Sequence, residues 1–188
     1  WFCNGMYAPP TLESIEGDTQ MFATSDSALH VVDHSTSLSG NVVVVQGKKR
    51  VTAPFITRDA ATEITSIEGP LVMREEGLLL TGEKARTNLF AGTGVIDNAT
   101  FLLHQASLRG TANRLVQDAD KKILIDQGEM TRCDPTSNVW KMKGENIELD
   151  PDAGWGVAKN VTLKIKDVPV FYFPWFRFPI NDKRQSGL

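Results

Sequence analysis

Two histidines lie four positions apart in the segment His30-Val-Val-Asp-His34. On a helix this spacing would place both imidazoles on one face, which is a common arrangement for a zinc site. The residues that follow, from Ser35, are typical of a strand, and we expect the two rings merely to share one strand face. The sequence therefore predicts no metal site here.

Paired carboxylates are the next candidates for chemistry, because most glycoside hydrolases use two acids that flank the scissile bond. Glu75 with Glu76, and Glu145 with Glu148, are such pairs, but nothing in the sequence fixes their separation or raises a pKa. We interpret both pairs as solvated strand ends. The segment Asp150–Gly154 begins like a calcium loop but lacks the later ligands and the closing Glu, which favours a hairpin turn.

Motifs that hold nucleotides or activate a nucleophile are absent from the sequence. The nearest is Gly92-Thr-Gly94, which lacks the last glycine of a dinucleotide fingerprint and lies between two predicted strands. There is no GxSxG, HExxH or P-loop sequence. We therefore expect a protein that is not an enzyme, with no catalytic residues, no cofactor and no metal.

Length and composition are those of one globular domain: 188 residues, 41% hydrophobic and 23% charged. The net charge of −3 comes with scattered Lys and Arg residues, so we expect no nucleic-acid partner. No apolar run approaches the roughly 20 residues of a membrane helix. The first residues, Trp1-Phe-Cys-Asn-Gly5, lack both Met and the pattern of a signal peptide, which we expect to have been removed.

The two cysteines, Cys3 and Cys133, are 130 positions apart. This separation excludes the CxxC spacing of zinc and redox sites. The pair is compatible with inert buried thiols in a reducing compartment and with disulfide partners in an oxidising one.

Short β-prone runs separated by turn residues recur along the chain, and no stretch sustains a helical period. Glycines lie at or near the expected turns, and a glycine leads a strand at Gly40, Gly69 and Gly110, at spacings of 29 and 41 residues. The sequence therefore predicts an all-β fold. The predicted strands are 41–46, 50–57, 71–74, 78–81, 100–105 and 122–126.

Within the strands apolar residues alternate with polar ones, so each strand has one apolar face. Such strands need a covering layer, as in a sandwich, a jelly roll or a β-solenoid. Periodicity leaves open whether the apolar faces close into a filled core or stay apart as a groove for a long lipid-like ligand. The residues predicted to line this face are Val42, Val44, Leu71, Met73, Phe101, Leu103, Trp140, Met142, Ile147, Leu149, Val161, Leu163 and Ile165.

The segment Val168–Ile180 carries six aromatic residues and three prolines, and Lys183-Arg184 follows it. Aromatics beside Lys and Arg suit a membrane–water boundary. An apolar final strand packed on the domain's own core is the other interpretation, and composition leaves both open.

Four motifs resemble the amino-terminal periplasmic domain of the OstA-like (LptD) family of lipopolysaccharide-assembly outer-membrane proteins. They are Cys3-x-Gly-x-Tyr-x-x-Pro10 with Gly40-Asn-Val, Leu108-Arg-Gly-Thr-Ala112, Met130-Thr-Arg-Cys-x-Pro135 followed by Trp140, and Val168-Pro-Val-Phe-Tyr-x-Pro-Trp-x-x-Phe-Pro-Ile180 with Lys183-Arg184-x-Ser-Gly187. Together they cover essentially the whole chain, and the last is the most specific.

The resemblance implies an open, V-shaped antiparallel β-jellyroll with two facing sheets. Residues 1–18 would form a lead-in, 19–167 the jellyroll, and 168–188 an aromatic and proline-rich linker into an outer-membrane β-barrel, with Pro169, Pro174 and Pro179 as its hinge. By the same resemblance, Cys3 and Cys133 would pair with two cysteines of the barrel. In the isolated domain they would be free thiols or joined to each other.

The function implied is the conduction of lipopolysaccharide through the apolar groove, on the periplasmic face of the outer membrane. Expected partners are lipopolysaccharide, the periplasmic bridge jellyroll LptA at the amino-terminal edge, around residues 19–34, and the lipoprotein LptE through the barrel. Two other functions stay open on the residues alone. These are a carbohydrate-active β-solenoid enzyme and a structural or adhesin β-sandwich with a closed core.

Overall fold

The computed structural model describes residues 20–88, 91–104, 107–137, 139–150 and 152–179. In these ranges the chain forms twelve β-strands and no helix, so no helix is present there that could cross a membrane. The strands are β1 (Met21–Thr24), β2 (Ser27–Val31), β3 (Ser35–Gln46), β4 (Lys49–Asp59), β5 (Ile64–Glu75), β6 (Leu78–Asn88), β7 (Thr93–Leu103), β8 (Leu108–Gln117), β9 (Ile123–Thr131), β10 (Trp140–Asp150), β11 (Trp155–Ile165) and β12 (Val168–Pro179).

The strands form one antiparallel sheet in which each strand from β3 to β12 pairs with the next one along the chain. At one edge β1 pairs with the second part of β3, and β2 pairs with its first part. At the other edge lies β12, so the sheet is open. The predicted all-β, open antiparallel fold is confirmed, and its facing layers are the two halves of one continuous sheet.

Residues with left-handed backbone conformation bend the long strands near their middles. Gly40, Gly69, Asn98 and Gln127 have φ values of 71°, 89°, 50° and 49°, and they recur every 29 residues on β3, β5, β7 and β9. Asn146 and Asn160 continue the line on β10 and β11. Around Gly40 and Gly69 the register with a neighbouring strand shifts, as at a β-bulge. Around Asn98 and Gln127 the register is continuous, and the bend alone breaks the alternation by one position.

Side-chain amides hold several of these bends to the adjacent strand. Asn98 donates to Glu83 over 2.7 Å, and Asn160 donates to Glu145 over 2.9 Å. Asn residues tolerate the left-handed region better than most residues. The bends at Asn98 and Asn160 therefore combine a permitted backbone conformation with a cross-strand hydrogen bond.

Small residues line the inside of the bends, which we call the crease. A Cβ added to Gly128 would lie 2.9 Å from side-chain carbons of both Ile125 and Ile147, so nothing larger than hydrogen fits there without a shift. The members of the crease are Ala53, Gly82, Ala99, Ala112, Gly128, Gly144 and Ala158.

The expectation that the glycines mark turns is confirmed for some of them and wrong for others. Gly47, Gly77 and Gly154 lie in hairpin turns. The physical reason for the others is the bending of the strands, since a bend needs a left-handed residue or a small one. Those inside strands are Gly40, Gly69, Gly110, Gly128 and Gly144.

The strands extend well beyond the predicted runs. The run predicted as 71–74 belongs to Ile64–Glu75, and the run predicted as 78–81 belongs to Leu78–Asn88. Both predicted runs stop at the crease, where the alternation of apolar and polar residues is interrupted. Residues 168–179, assigned from sequence to the linker, continue the sheet as β12.

Candidate functional site

One row of apolar residues crosses the sheet on the side of the crease nearest the β5–β6 turn. Each member lies directly opposite the next in the strand register. We call it the methionine row, and its order is Val44, Val51, Met73, Leu80, Phe101, Gly110, Met130, Met142, Leu163 and Phe171.

A second row lies on the other side of the crease and runs parallel to the first. It also follows the register from strand to strand. We call it the isoleucine row, and its order is Leu38, Ile56, Ile67, Ala85, Ile96, Leu115, Ile125 and Ile147. The two rows are the apolar walls of one trough that runs at right angles to the strands.

A cavity of about 320 Å³ lies between the two rows. Leu80 and Phe101 line it from the methionine row, and Ile96 and Leu115 line it from the isoleucine row. A filled core would have closed this space, since protein interiors pack to crystal-like density. The bend therefore holds the two halves of the sheet apart over β4 to β10.

The charged residues that line this cavity are exposed and lie at its mouth. Lys49 and Glu75 form an ion pair there, with 3.4 Å between Nζ and Oε2, and Arg86 is also exposed. An exposed pair of this kind contributes little to stability. The walls are apolar and the polarity is confined to the rim, which suits a ligand with an apolar body and a polar head.

The structure places the predicted lining residues in four positions. Val44, Met73, Phe101, Met142 and Leu163 belong to the methionine row, and Ile147 belongs to the isoleucine row, with Leu149 beside it. Those that lie beside the small residues of the crease are buried: Val42, Leu71 and Val161 are 0%, 2% and 1% exposed. Two residues beyond the methionine row, on the side away from the crease, lie Leu103, Trp140 and Ile165.

The sequence prediction missed nearly all of the isoleucine row. Leu38, Ile56, Ile67, Ile96 and Ile125 all pack in the two buried clusters, yet none was assigned to the lining. In β7 the residues whose side chains face the trough are Ile96, Ala99 and Phe101. Ile96 and Ala99 are three positions apart across the crease, whereas in a regular strand such residues are two positions apart. The signal that identifies such a step is the left-handed Asn98 between them.

The residues considered for metal or acid–base chemistry are not assembled into a site. His30 lies on β2 with its Nδ1 2.9 Å from the Thr36 hydroxyl, whereas His34 lies in the turn after β2. The expectation that both rings share a strand face is therefore wrong, because β2 ends at Val31. Among the described residues no three His, Cys, Asp or Glu side chains are grouped so that they could hold a metal ion.

The carboxylates of both pairs are exposed, and neighbouring side chains form hydrogen bonds or ion pairs with them. Glu76 accepts a hydrogen bond of 2.7 Å from Lys48, and this bond holds the pKa of the Glu76 carboxyl below its usual value. Glu148 lies 3.6 Å from the Lys122 ammonium. Asp150 closes the predicted hairpin turn by accepting from the Ala153 amide over 2.8 Å.

Cys133 lies in the connection between β9 and β10, is fully buried, and is disulfide-bonded. Its main-chain carbonyl accepts from Arg109 Nε over 2.8 Å, and the next carbonyl, of Asp134, accepts from Arg109 Nη2 over 2.9 Å. Its amide donates to the hydroxyl of the buried Thr131 over 3.1 Å. Side chains thus fix the position of Cys133, while Cys3 lies outside the described residues.

The last strand places a column of phenylalanines at the end of the trough. Centroids of successive rings among Phe171, Phe173, Phe176 and Phe178 are 6.3, 5.9 and 5.9 Å apart. Phe176 and Phe178 also pack on the buried cluster of the trough. The trough walls, mostly aliphatic, therefore become aromatic at this edge.

Comparison with known proteins agrees with this geometry. The family described as "LptA/(LptD N-terminal domain) LPS transport protein" matches residues 23–155. A solved structure of LptH from Pseudomonas aeruginosa, described as the LptA-homologous periplasmic component of a lipopolysaccharide transport device, is similar in fold. The TM-score is 0.50 at 17% sequence identity, over 64% of this chain and 87% of that chain.

Relatives named LPS-assembly protein LptD match almost the whole chain. Those of Saccharophagus degradans, Pseudomonas syringae pv. syringae and Hahella chejuensis are 34%, 36% and 38% identical, over 99%, 99% and 97% of this chain. The match covers 22%, 21% and 23% of the three relatives, so the chain spans about a fifth of their length. On its sequence and its open antiparallel sheet, the chain belongs to the family of LptA and LptD amino-terminal domains.

Proposed function

We propose that this domain conducts lipopolysaccharide by holding its acyl chains in the trough between the methionine and isoleucine rows, without catalysing a reaction. The observation that carries the proposal is the continuity of the two rows, which run from β3, next to the β1–β2 edge, to β12 and β10 respectively. A route that is apolar along its whole length gives a sliding chain the same surroundings at every step.

The energetics favour a trough of this kind. Each CH₂ group removed from water contributes about 0.8 kcal/mol, so an acyl chain of a dozen carbons needs continuous cover to cross an aqueous space. Movement also requires that no position hold the chain much more tightly than the next. Flexible Met73, Met130 and Met142 adapt to changing partners better than branched residues do.

We propose that the lipid enters at the β1–β2 edge. The strands there are short, and among the described residues no strand pairs with their outer side, so a strand from an LptA-like bridge protein can extend the sheet. The described part of the predicted segment 19–34 supplies this edge. A shared sheet would align the two troughs end to end.

At the β12 edge we propose a connection to an outer-membrane β-barrel that follows this chain, with LptE bound to the barrel. Residues 1–18 would serve as lead-in, and residues 168–188, which begin with β12, as the link, with Pro169, Pro174 and Pro179 restricting its conformation. The location would be the periplasmic face of the outer membrane. Exchange of the Cys133 disulfide for a bond to the barrel would fix the trough above its entrance.

The other candidate functions lack support from particular residues. An acid-catalysed glycoside hydrolysis needs two converging carboxylates, whereas the described pairs are exposed and engaged by lysine or, at Glu145, by asparagine. A sandwich with a closed core leaves no space for the cavity between the rows.

Photocrosslinking tests the proposal at matched positions on the two faces of the sheet. A photoreactive group at Phe101 or Leu163 should label added lipopolysaccharide, whereas the same group at Lys141 or Lys164 should not. Lys164 adjoins Leu163 in the chain and points to the opposite face, so it controls for local concentration. Equal labelling at both sets of positions would exclude the trough as the route.

A further inference from the structure

The edge formed by β1 and β2 is one strand that bends where the crease reaches it. Ala23 of β1 pairs with Val44 of the methionine row, and Ala28 of β2 pairs with Leu38 of the isoleucine row. Each of the two short strands is therefore the margin of one wall of the trough. The residues that join them, Ser25–Asp26, lie at the bend.

Side chains and backbone groups hold the edge in this bent form. The Asp26 amide donates to the Gly40 carbonyl over 2.9 Å, and the Asp26 carboxylate accepts from Asn41 Nδ2 over 2.9 Å. The Ser25 hydroxyl donates to the Ser27 carbonyl over 3.0 Å. A Cβ added to Gly40 would overlap the Asp26 carboxylate, so the glycine gives this side chain its place. The bend of the edge thus depends on contacts within the chain itself.

Left-handed residues are distributed over the sheet so that every pair of neighbouring strands contains at least one. Strands β3, β5, β7, β9, β10 and β11 carry such residues, whereas β4, β6, β8, β12 and the whole β1–β2 edge carry none among the residues that the structure describes. In the order of the sheet no two strands of the second kind are neighbours. Small residues occupy the crease in β4, β6 and β8, namely Ala53, Gly82 and Ala112.

This distribution sets a requirement for any strand that is added beside β1 and β2. Both walls of the trough continue into a partner only if the added strand pairs with both short strands, so it must bend beside Ser25–Asp26. The edge carries no left-handed residue there. By the rule that holds across the sheet, the added strand has to supply it. Glycine, and less often Asn or Asp, adopts this conformation, whereas a β-branched residue is strongly disfavoured.

We propose, on the basis of the proposed entry of lipid at this edge, that the partner strand carries a left-handed Gly, Asn or Asp beside Ser25–Asp26. The crease then continues into the partner and selects strands that bend at one place. It also sets the register of pairing, because a slip by one residue takes the bend out of line and turns each side chain to the opposite face.

The first test maps the partner strand by photocrosslinking to the LptA-like bridge protein. One variant carries the photoreactive group at Phe22 of β1 and another carries it at Leu29 of β2, two positions that are 43% and 65% exposed and lie on opposite sides of the bend. Mass spectrometry should locate both crosslinks on one strand of the bridge protein, with a Gly, Asn or Asp between them. Crosslinks on two different strands, or on a strand that lacks such a residue, would overturn the proposal.

The second test replaces that Gly, Asn or Asp of the bridge protein by Val. The affinity measured by surface plasmon resonance should fall about tenfold or more, since a β-branched residue resists the left-handed conformation. Exchange between Gly and Asn at the same position should preserve most of the affinity. The matched control is Val introduced two residues away on the same strand, on the same face. An equal loss in the Val variant and its control would overturn the proposal.

The outcomes separate this inference from the proposed function on which it rests. If neither Phe22 nor Leu29 gives a crosslink, the lipid does not enter from a strand paired at this edge, and both are overturned. If both give crosslinks but Val is tolerated at the bend, entry at the edge stands and only the requirement for a left-handed residue is lost. Labelling of added lipopolysaccharide from Phe101 reports on the trough independently of either result.

Discussion

Phe101 lies directly opposite Gly110 on the neighbouring strand, and a Cβ added to Gly110 would overlap the Cζ atom of the Phe101 ring. The same Cβ would overlap the main-chain oxygen of Glu129 on the other side. The missing side chain of Gly110 thus gives Phe101 of the methionine row its place beside the cavity.

We expect Gly110→Val to destabilise the domain by about 1–3 kcal/mol, since the ring must leave its position and the backbone of β9 cannot yield easily. Urea unfolding followed by tryptophan fluorescence measures the change. Gly94→Ala is the control: a Cβ there meets its nearest atoms at 3.7 Å, and we expect a change within about 0.5 kcal/mol. A neutral Gly110→Val would show that Phe101 is free to move.

We expect Arg109→Met to loosen the connection that holds Cys133, because it removes two hydrogen bonds to main-chain carbonyls at a roughly conserved side-chain length. The loss should be about 1 kcal/mol per bond, and dithiothreitol should reduce the Cys133 disulfide several-fold faster. Arg114→Met is the control, since Arg114 is exposed and only 4.0 Å from Asp97. Equal reduction rates in the two variants would contradict a positioning role for Arg109.

The turn between β4 and β5 should lose stability in acid. The Thr62 amide and hydroxyl both donate to the Asp59 carboxylate over 2.8 Å, and the Ala61 amide donates over 3.0 Å. The Thr62 amide bond is the main cause that lowers the pKa of Asp59 below its usual 3.8. Because the folded-state pKa is lowered, the stabilisation is present above the unfolded value and is lost as the pH falls through the folded one.

Amide hydrogen exchange at Thr62 measures this effect on the turn. Protection should decrease on acidification of the wild-type chain, after correction for the intrinsic exchange rate. Asp59→Asn keeps an acceptor but does not titrate, so its protection should be independent of pH. A wild-type profile as flat as that of the Asn variant would mean that the carboxylate does not stabilise the turn.

Val31→Pro should weaken binding of an LptA-like partner at the β1–β2 edge at least tenfold. Val31 pairs with Ser35 at the end of β2, and proline there removes a backbone donor and restricts the residue before it. Leu29→Ala shortens an exposed side chain of the same strand and keeps its N–H, so binding should be nearly unchanged. Surface plasmon resonance with immobilised partner compares the two; normal binding by Val31→Pro would place the contact elsewhere.

Much of the fold was predictable because hairpin turns and alternation are local. Met142 and Leu163 were assigned to one face of their strands, and the register places them opposite each other. The isoleucine row escaped prediction for a physical reason. Its members continue the face of the methionine row only beyond the bend of each strand, and each bend shifts the inward positions by one residue.

The role of the aromatic segment was also beyond local reasoning. Composition alone allowed two interpretations of residues 168–179, a membrane–water boundary segment and a final strand, because Phe and Tyr suit both. The choice depends on a partner strand, β11, whose Val161 lies opposite Phe173 and whose Ala158 lies opposite Phe176. Pairing of this kind is a tertiary property that no window of sequence contains.

The 29-residue recurrence of left-handed residues makes the molecule modular in length. Each recurrence supplies two strands and one bend, so duplication of a single unit would add two inter-strand steps, about 10 Å, at constant cross-section. The nine steps from β3 to β12 correspond to a trough about 43 Å long on the same spacing. Homologues that span wider or narrower gaps can therefore differ by whole hairpins while both terminal edges keep their form.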